Sequence, residues 1–126
     1  MRNLAFYFLA ALFFAACAAS TGTKPSRRST NLITAEEVTA STARDAYEAV
    51  QLLRPEWFIP RGVTSIRAPQ ATVPVAYLEG SKLGDIENLH NIPAMDIAEI
   101  RFVNSRDATT LYGTGHVGGA IVVKTK

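Results

Sequence analysis

The residues of this chain that could carry out chemistry are few. Neither His90 nor His116 has a second ligand nearby at the spacing of a metal site, and His116 lies in a glycine turn, where we expect a surface imidazole. Asp96 and Glu99 point to opposite faces if this stretch enters a strand, so they cannot act as an acid/base pair. The sequence also contains no G-x-S-x-G, P-loop or H-E-x-x-H motif. We therefore expect no enzyme activity, no metal and no cofactor.

Cys17 is the only cysteine, and it stands at the end of a leader sequence. Arg2 precedes the uncharged apolar run Leu4 to Ala16, which is too short to span a bilayer but is typical of an export signal. The run ends in Phe14-Ala15-Ala16-Cys17, which resembles a bacterial lipobox, although Phe14 replaces the usual Leu. We expect residues 1–16 to be removed and Cys17 to be lipidated, with a palmitate-type acyl chain. The alternative is ordinary signal-peptidase cleavage, since Ala16-Cys17-Ala18 also fits the A-x-A pattern.

The segment behind this cysteine predicts where the protein is held. Ala18 and Ala19 lack the aspartate that retains lipoproteins in the inner membrane of enteric-type bacteria, so we expect an outer-membrane anchor that faces the periplasm. Thr21 to Thr30 consist of Ser, Thr, Gly, Pro and basic residues without an apolar period, so residues 17–30 are predicted to form a flexible tether. Since only Arg2 among the charged residues is lost with the leader, the mature chain is nearly neutral. We expect no nucleic-acid partner.

Two helices and an aromatic segment are expected to open the folded part. Thr34 and Glu37 form a capping box. A second helix is expected from Ala43 to the residue before Pro55, because apolar residues recur there at helical spacing. Trp57 and Phe58 follow between prolines. They are interpreted as core residues, or alternatively as an apolar patch for a partner.

The strands and later helices predict the fold class. The predicted strands are Val63–Ala68, Val73–Leu78, Glu99–Phe102 with Ile100 and Phe102 inward, and Ala120–Val123, which is apolar on both faces and suits an inner position. Short helices are expected over Ile86 and Leu89 and over Ser105–Tyr112, the second with Ser105 as N-cap and Gly113 after its last residue. Gly118 and Gly119 allow a close approach of the backbone. The sequence thus predicts one small α+β domain over residues 31–126, with a four-stranded mixed sheet and three or four short helices.

The C-terminal stretch DIAEIRFVNSRDATTLYGTGHVGGAIVVKTK, Asp96 to Lys126, resembles the end of the plug domain of TonB-dependent outer-membrane receptors. Pro74–Leu83, PVAYLEGSKL, is similar to the preceding strand and turn of that family, and Ile33–Pro55 is similar to its helical opening. The three stretches occur in the family's order. The resemblance implies a plug-like domain, but a receptor also needs a barrel of about 22 strands, so we expect a solitary plug-like domain.

Two functions remain open at this stage. The first is a protein-interaction or transport-accessory module that binds an envelope protein, with Trp57, Phe58, Tyr112 and His116 as contact residues. The second is a periplasmic small-ligand-binding module that uses the loops Gly113–Gly119 and Gly80–Gly84. Few charged or aromatic residues stand in these loops, which favours protein contact.

Overall fold

The computed structural model describes residues 29–61 and 72–126. The predicted leader, Cys17, most of the predicted tether and the predicted strand Val63–Ala68 lie outside the described residues. The described elements are β1 (Leu32–Thr34), α1 (Ala35–Ala40), α2 (Ala46–Leu53), a 3-10 helix (Pro55–Phe58), β2 (Val75–Leu78), β3 (Ser81–Gly84), two further 3-10 helices (Ile86–Asn91 and Ala94–Asp96), β4 (Ile97–Val103), α3 (Ser105–Tyr112) and β5 (Ala120–Thr125).

A mixed sheet with β5 at its centre organises the domain. The strand order is β1-β4-β5-β2-β3, in which β5 runs parallel to β2 and antiparallel to β4. The inner position predicted for β5 is confirmed, because Ala120, Ile121 and Val123 are completely buried. The α+β class with a mixed sheet and short helices is also confirmed.

The sheet contains five strands, where four were predicted. Three of the four predicted strands fall within the described residues and correspond to β2, β4 and β5. The two strands that were not predicted are the edge strands β1 and β3. Ser81-Lys82-Leu83-Gly84 in β3 is too polar to show the period of a strand, and β1 has only 3 residues. Both form because a neighbouring strand offers hydrogen bonds, which is a tertiary effect that local sequence does not reveal.

The larger core lies on one face of the sheet. Ile100 and Phe102 point into it, as predicted, and helices α1 and α2 pack over it through Val38 and Val50. Helix α2 begins at Ala46 and not at Ala43, since the Asp45 side chain accepts a hydrogen bond from the Glu48 amide and so caps the helix.

A smaller cluster lies on the opposite face, where α3 crosses the sheet. Ala108 of α3 packs there with Tyr77, Ala120 and Val122. The N-cap of α3 is Asn104, one residue before the predicted Ser105, and its side chain accepts from the amide of Asp107.

The loop from α3 into β5 needs glycine at two positions. A Cβ atom on Gly118 would lie 2.5 Å from the carbonyl oxygen of Val73, and one on Gly119 would lie 2.6 Å from that of Val103. The close backbone approach predicted for this pair is therefore confirmed. It allows the loop to pass close to the backbone just before β2 and at the end of β4.

Candidate functional site

Trp57 closes the core and does not form a surface patch. Its side chain is 1% exposed, and its ring lies 5.7 Å from that of Phe102, centroid to centroid. The indole Nε1–H donates a hydrogen bond of 3.1 Å to the carbonyl oxygen of Thr30. The interpretation of Trp57 as a core residue is confirmed, and the residue also holds the start of the domain in place.

Phe58 begins a row of three stacked rings at the surface. Its ring lies 4.7 Å from that of Tyr47, which lies 4.2 Å from that of His90 on its other side. Phe58 and Tyr47 are half-buried, and half of the His90 side chain is exposed. Phe58 therefore remains available for a contact, as part of this aromatic row.

His90 is held in the row by a carboxylate. Its Nδ1 lies 3.0 Å from Oδ2 of Asp45, the residue that caps α2. Partial burial acts to raise the pKa of Asp45, but hydrogen bonds from the Glu48 amide and the His90 ring outweigh it and lower the pKa on balance. The ionised Asp45 thus joins α2 to the 3-10 helix Ile86–Asn91.

On the opposite face of the sheet, His116 belongs to a buried aromatic cluster with Tyr77 and Tyr112. The rings of Tyr77 and Tyr112 stack at 4.0 Å, and the Tyr77 hydroxyl lies 2.7 Å from His116 Nε2. His116 Nδ1 lies 2.8 Å from the carbonyl oxygen of Gly113. Because a carbonyl oxygen can only accept, Nδ1 carries a proton. In the tautomer with this single ring proton, Nε2 accepts the proton of Tyr77.

The expectation of a surface imidazole at His116 is therefore wrong, since the residue is only 3% exposed. Burial, together with the nearby Tyr112, raises the pKa of Tyr77, so its hydroxyl keeps the proton that it donates. Sequence reasoning missed this cluster because Tyr77 and His116 are distant in the chain. Tyr112, which is half-buried, is the member of the cluster that a partner could contact.

The structure does not bring the predicted contact residues into one surface. Trp57 and Phe58 pack with the larger core, whereas Tyr112 packs with the smaller cluster on the other face of the sheet. Phe58 and Tyr112 are thus candidate contacts of two separate surfaces. Their role in partner binding stays a prediction.

Arg54 is a buried cation that sequence reasoning did not single out. It is 8% exposed and pairs with the Glu37 carboxylate at 3.4 Å. Its guanidinium also donates to the carbonyl oxygens of Leu53, Ser29 and Leu32. Its position directly before Pro55 gave no signal of this role, because two of the three carbonyls that it meets, those of Ser29 and Leu32, come from the distant N-terminal edge of the domain.

Two open surface grooves lie beside α3. One lies between α3 and the following loop and is lined by Arg106, Thr109, Gly115 and Val117 among others. Another lies between α3 and the start of β1, with Asn31, Arg101, Val103 and Leu111 in its wall.

Within residues 29–61 and 72–126, no three His, Cys, Asp or Glu side chains are grouped so that they could hold a metal ion. In the same ranges, no helix has the length and apolar character needed to cross a bilayer.

Neither a scan against models of protein families nor a search of curated proteins finds a match to this chain.

Proposed function

We propose that this chain is a non-enzymatic lipoprotein of the outer membrane whose plug-like domain binds another protein of the cell envelope. The observation that supports this proposal most directly is a sequence resemblance. The C-terminal unit from β4 through α3 to β5 resembles the end of a TonB-dependent receptor plug domain. A mixed α+β sheet with this unit at its centre is compatible with that resemblance. The lipid anchor at Cys17 and the periplasmic orientation are parts of the same proposal.

Tethering is what makes a modest binding surface useful. A domain held to a membrane meets its partners in a thin layer, which raises their effective concentration by orders of magnitude relative to free solution. The half-buried rings of Phe58 and Tyr112 offer limited contact areas on two faces. Such areas suit weak, repeated contacts with a neighbouring envelope protein more than tight association of free partners.

The alternative, a small-ligand-binding module, would use the glycine loop and the groove beside α3. The polar side chains that line this groove are those of Ser105, Arg106, Thr109, Thr110, Thr114 and His116. Of these, the hydroxyls of Thr109 and Thr110 already donate to carbonyl oxygens within α3. His116 also reaches this groove, but both of its ring nitrogens are engaged with Tyr77 and Gly113. These engaged groups favour the protein-binding function.

In-cell photo-crosslinking tests the proposal. A photoreactive residue is placed at Phe58 or at Tyr112, and each version is made with Cys17 intact and with Cys17→Ser. We expect heavy adducts with one envelope protein from at least one position, and a loss of yield in the unanchored form. Adducts with lipid only, together with saturable binding of a small solute by the purified protein, would instead establish the ligand-binding alternative.

A further inference from the structure

The two edges of the sheet differ in whether their backbone groups are already bonded. In β1, the outward N–H of Leu32 donates to the carbonyl oxygen of Ser29, and the Leu32 carbonyl accepts from Arg54. The N–H of Thr34 donates to the Glu37 carboxylate at 3.2 Å. No extended chain can add to this edge without first displacing these partners.

The other edge, β3, is shaped by a tight hairpin. Leu78 pairs with Ser81, so only Glu79 and Gly80 form the turn, and both have positive φ angles, 50° and 84°, as a type I′ turn requires. The next pair along the hairpin is Tyr77 with Lys82.

The direction of the Lys82 backbone groups follows from the hydrogen bonds that β2 makes on its other side, to β5. The N–H of Val75 donates to the carbonyl oxygen of Gly119, directly before β5, at 3.1 Å, and the N–H of Glu79 donates to that of Val123 in β5 at 3.0 Å. Tyr77 lies between them and has the same orientation, so its N–H and C=O face β5 and not β3. The pair Tyr77–Lys82 is therefore not hydrogen bonded, and the N–H and C=O of Lys82 point away from the sheet.

Within the described residues, few groups bond to the outward N–H and C=O groups of β3. The carbonyl oxygen of Leu83 is taken by the Asn88 side chain at 2.8 Å. The backbone of Lys82 receives no such bond from any residue in the described ranges, and its ammonium forms no ion pair there. The backbone N–H and C=O of Lys82 thus form an outward donor and acceptor, and the side chain beside them carries a positive charge that no described residue pairs with.

We infer that the β3 edge binds an extended segment of another protein that pairs with the backbone of Lys82 and places an acidic side chain opposite it. The occupant is not a second copy of this chain. Because Lys82 carries the one pair of outward groups of β3 that the described residues leave open, a symmetric antiparallel pairing of two β3 edges would set Lys82 opposite Lys82, and like charges directly opposite are destabilising. The inference deepens the proposed function, on which it rests, by assigning the binding surface and the partner's chemistry.

The test uses the full chain in mild detergent and a short extended peptide of alternating Thr and Val with one central Glu. We expect saturable amide shift changes centred on Ser81 to Gly84, and none with the same peptide N-methylated at the amides that face β3. A Lys82→Pro variant removes the outward N–H without removing a bond to β2, so it should stay folded and not bind. Lys82→Ala keeps the backbone groups and should still bind.

A second part of the test reverses the charge at position 82. Lys82→Glu should bind the Glu peptide up to about fivefold more weakly than the parent does, and a peptide with Lys in place of Glu should restore the loss. Equal binding of the N-methylated peptide, shift changes that centre on another element, or no binding would overturn the inference. If cross-linking from Phe58 or Tyr112 still yields an envelope protein in that case, only the assignment to β3 fails. Peptide binding without an envelope adduct from Phe58, from Tyr112 or from a photoreactive residue placed at Lys82 would contradict the proposed function instead.

Discussion

The hydroxyl of Tyr77 in β2 donates to Nε2 of His116 in the loop before β5 at 2.7 Å, and the same ring donates from Nδ1 to the carbonyl oxygen of Gly113. This bond ties the glycine loop to the sheet. It places a polar pair in an otherwise apolar cluster, where each group depends on the other for its hydrogen bond.

Removing the donor from that pair should destabilise the domain. In Tyr77→Phe, the buried Nε2 of His116 loses its partner, and we expect a loss of about 1 to 3 kcal/mol in the free energy of unfolding. Urea denaturation measures it. The matched control is Tyr112→Phe, because the Tyr112 hydroxyl makes no hydrogen bond within the described ranges while its ring stacks on Tyr77. An equal loss in both variants would refute the role given to the bond.

A charge in the central strand should unfold the domain. Val122 of β5 is 9% exposed and packs with Tyr77 and Ala108. Val122→Asp buries a carboxylate without a partner, at a cost of several kcal/mol against a total stability of about 5 to 15. Circular dichroism should show loss of the cooperative melt. Val117→Asp, at a residue that is 40% exposed, should melt close to the parent. Retention of the native melt in Val122→Asp would contradict the inner position of β5.

Acid should destabilise the protein because it protonates carboxylates that form ion pairs and hydrogen bonds in the folded state. The Lys124 ammonium, 3.0 Å away, lowers the pKa of Glu99, and hydrogen bonds from Thr125 lower the pKa of Glu79. A lowered pKa stabilises the fold above the ordinary carboxyl pKa, and that stability is lost as the pH falls through the folded value. We therefore expect the free energy of unfolding to fall below about pH 4.

The contribution of Glu99 to this acid effect can be isolated. Glu99→Gln should lower stability at pH 7 and reduce the loss between pH 6 and pH 3. Glu87→Gln is the control, because Glu87 is exposed and has no bond to another side chain in the described ranges. Identical pH profiles for Glu99→Gln and the parent would show that the pair with Lys124 does not stabilise the fold.

The anchor is tested separately from the fold. Cells that express the protein are labelled with a fatty-acid analogue, and we expect label on the parent chain, which should fractionate with the outer membrane. Cys17→Ser should carry no label. Label that persists in Cys17→Ser would end the lipoprotein proposal, and an unlabelled parent would point to ordinary signal-peptidase cleavage.

The sequence predicted those parts of the fold that local pattern determines. The strand β5 was found because its residues are apolar on both faces, and the capping box of Thr34 and Glu37 because its spacing is specific. Strand β3 was missed, since Lys82 gives no apolar period and pairs only because β2 lies beside it. The burial of His116 was missed for a similar reason, because this loop residue is buried against Tyr77 of β2, which is 39 residues away in the chain.

The central claim is that this protein works by binding another envelope protein, and the mass of the particle it forms in cells tests this most directly. The envelope is solubilised in mild detergent without cross-linking, and the particle that contains the chain is sized and its polypeptides identified. We predict a particle with a second, different envelope protein in fixed ratio, and its loss in Lys82→Pro. A lipidated monomer that carries no second polypeptide, in a preparation that binds a small solute saturably, would contradict the account.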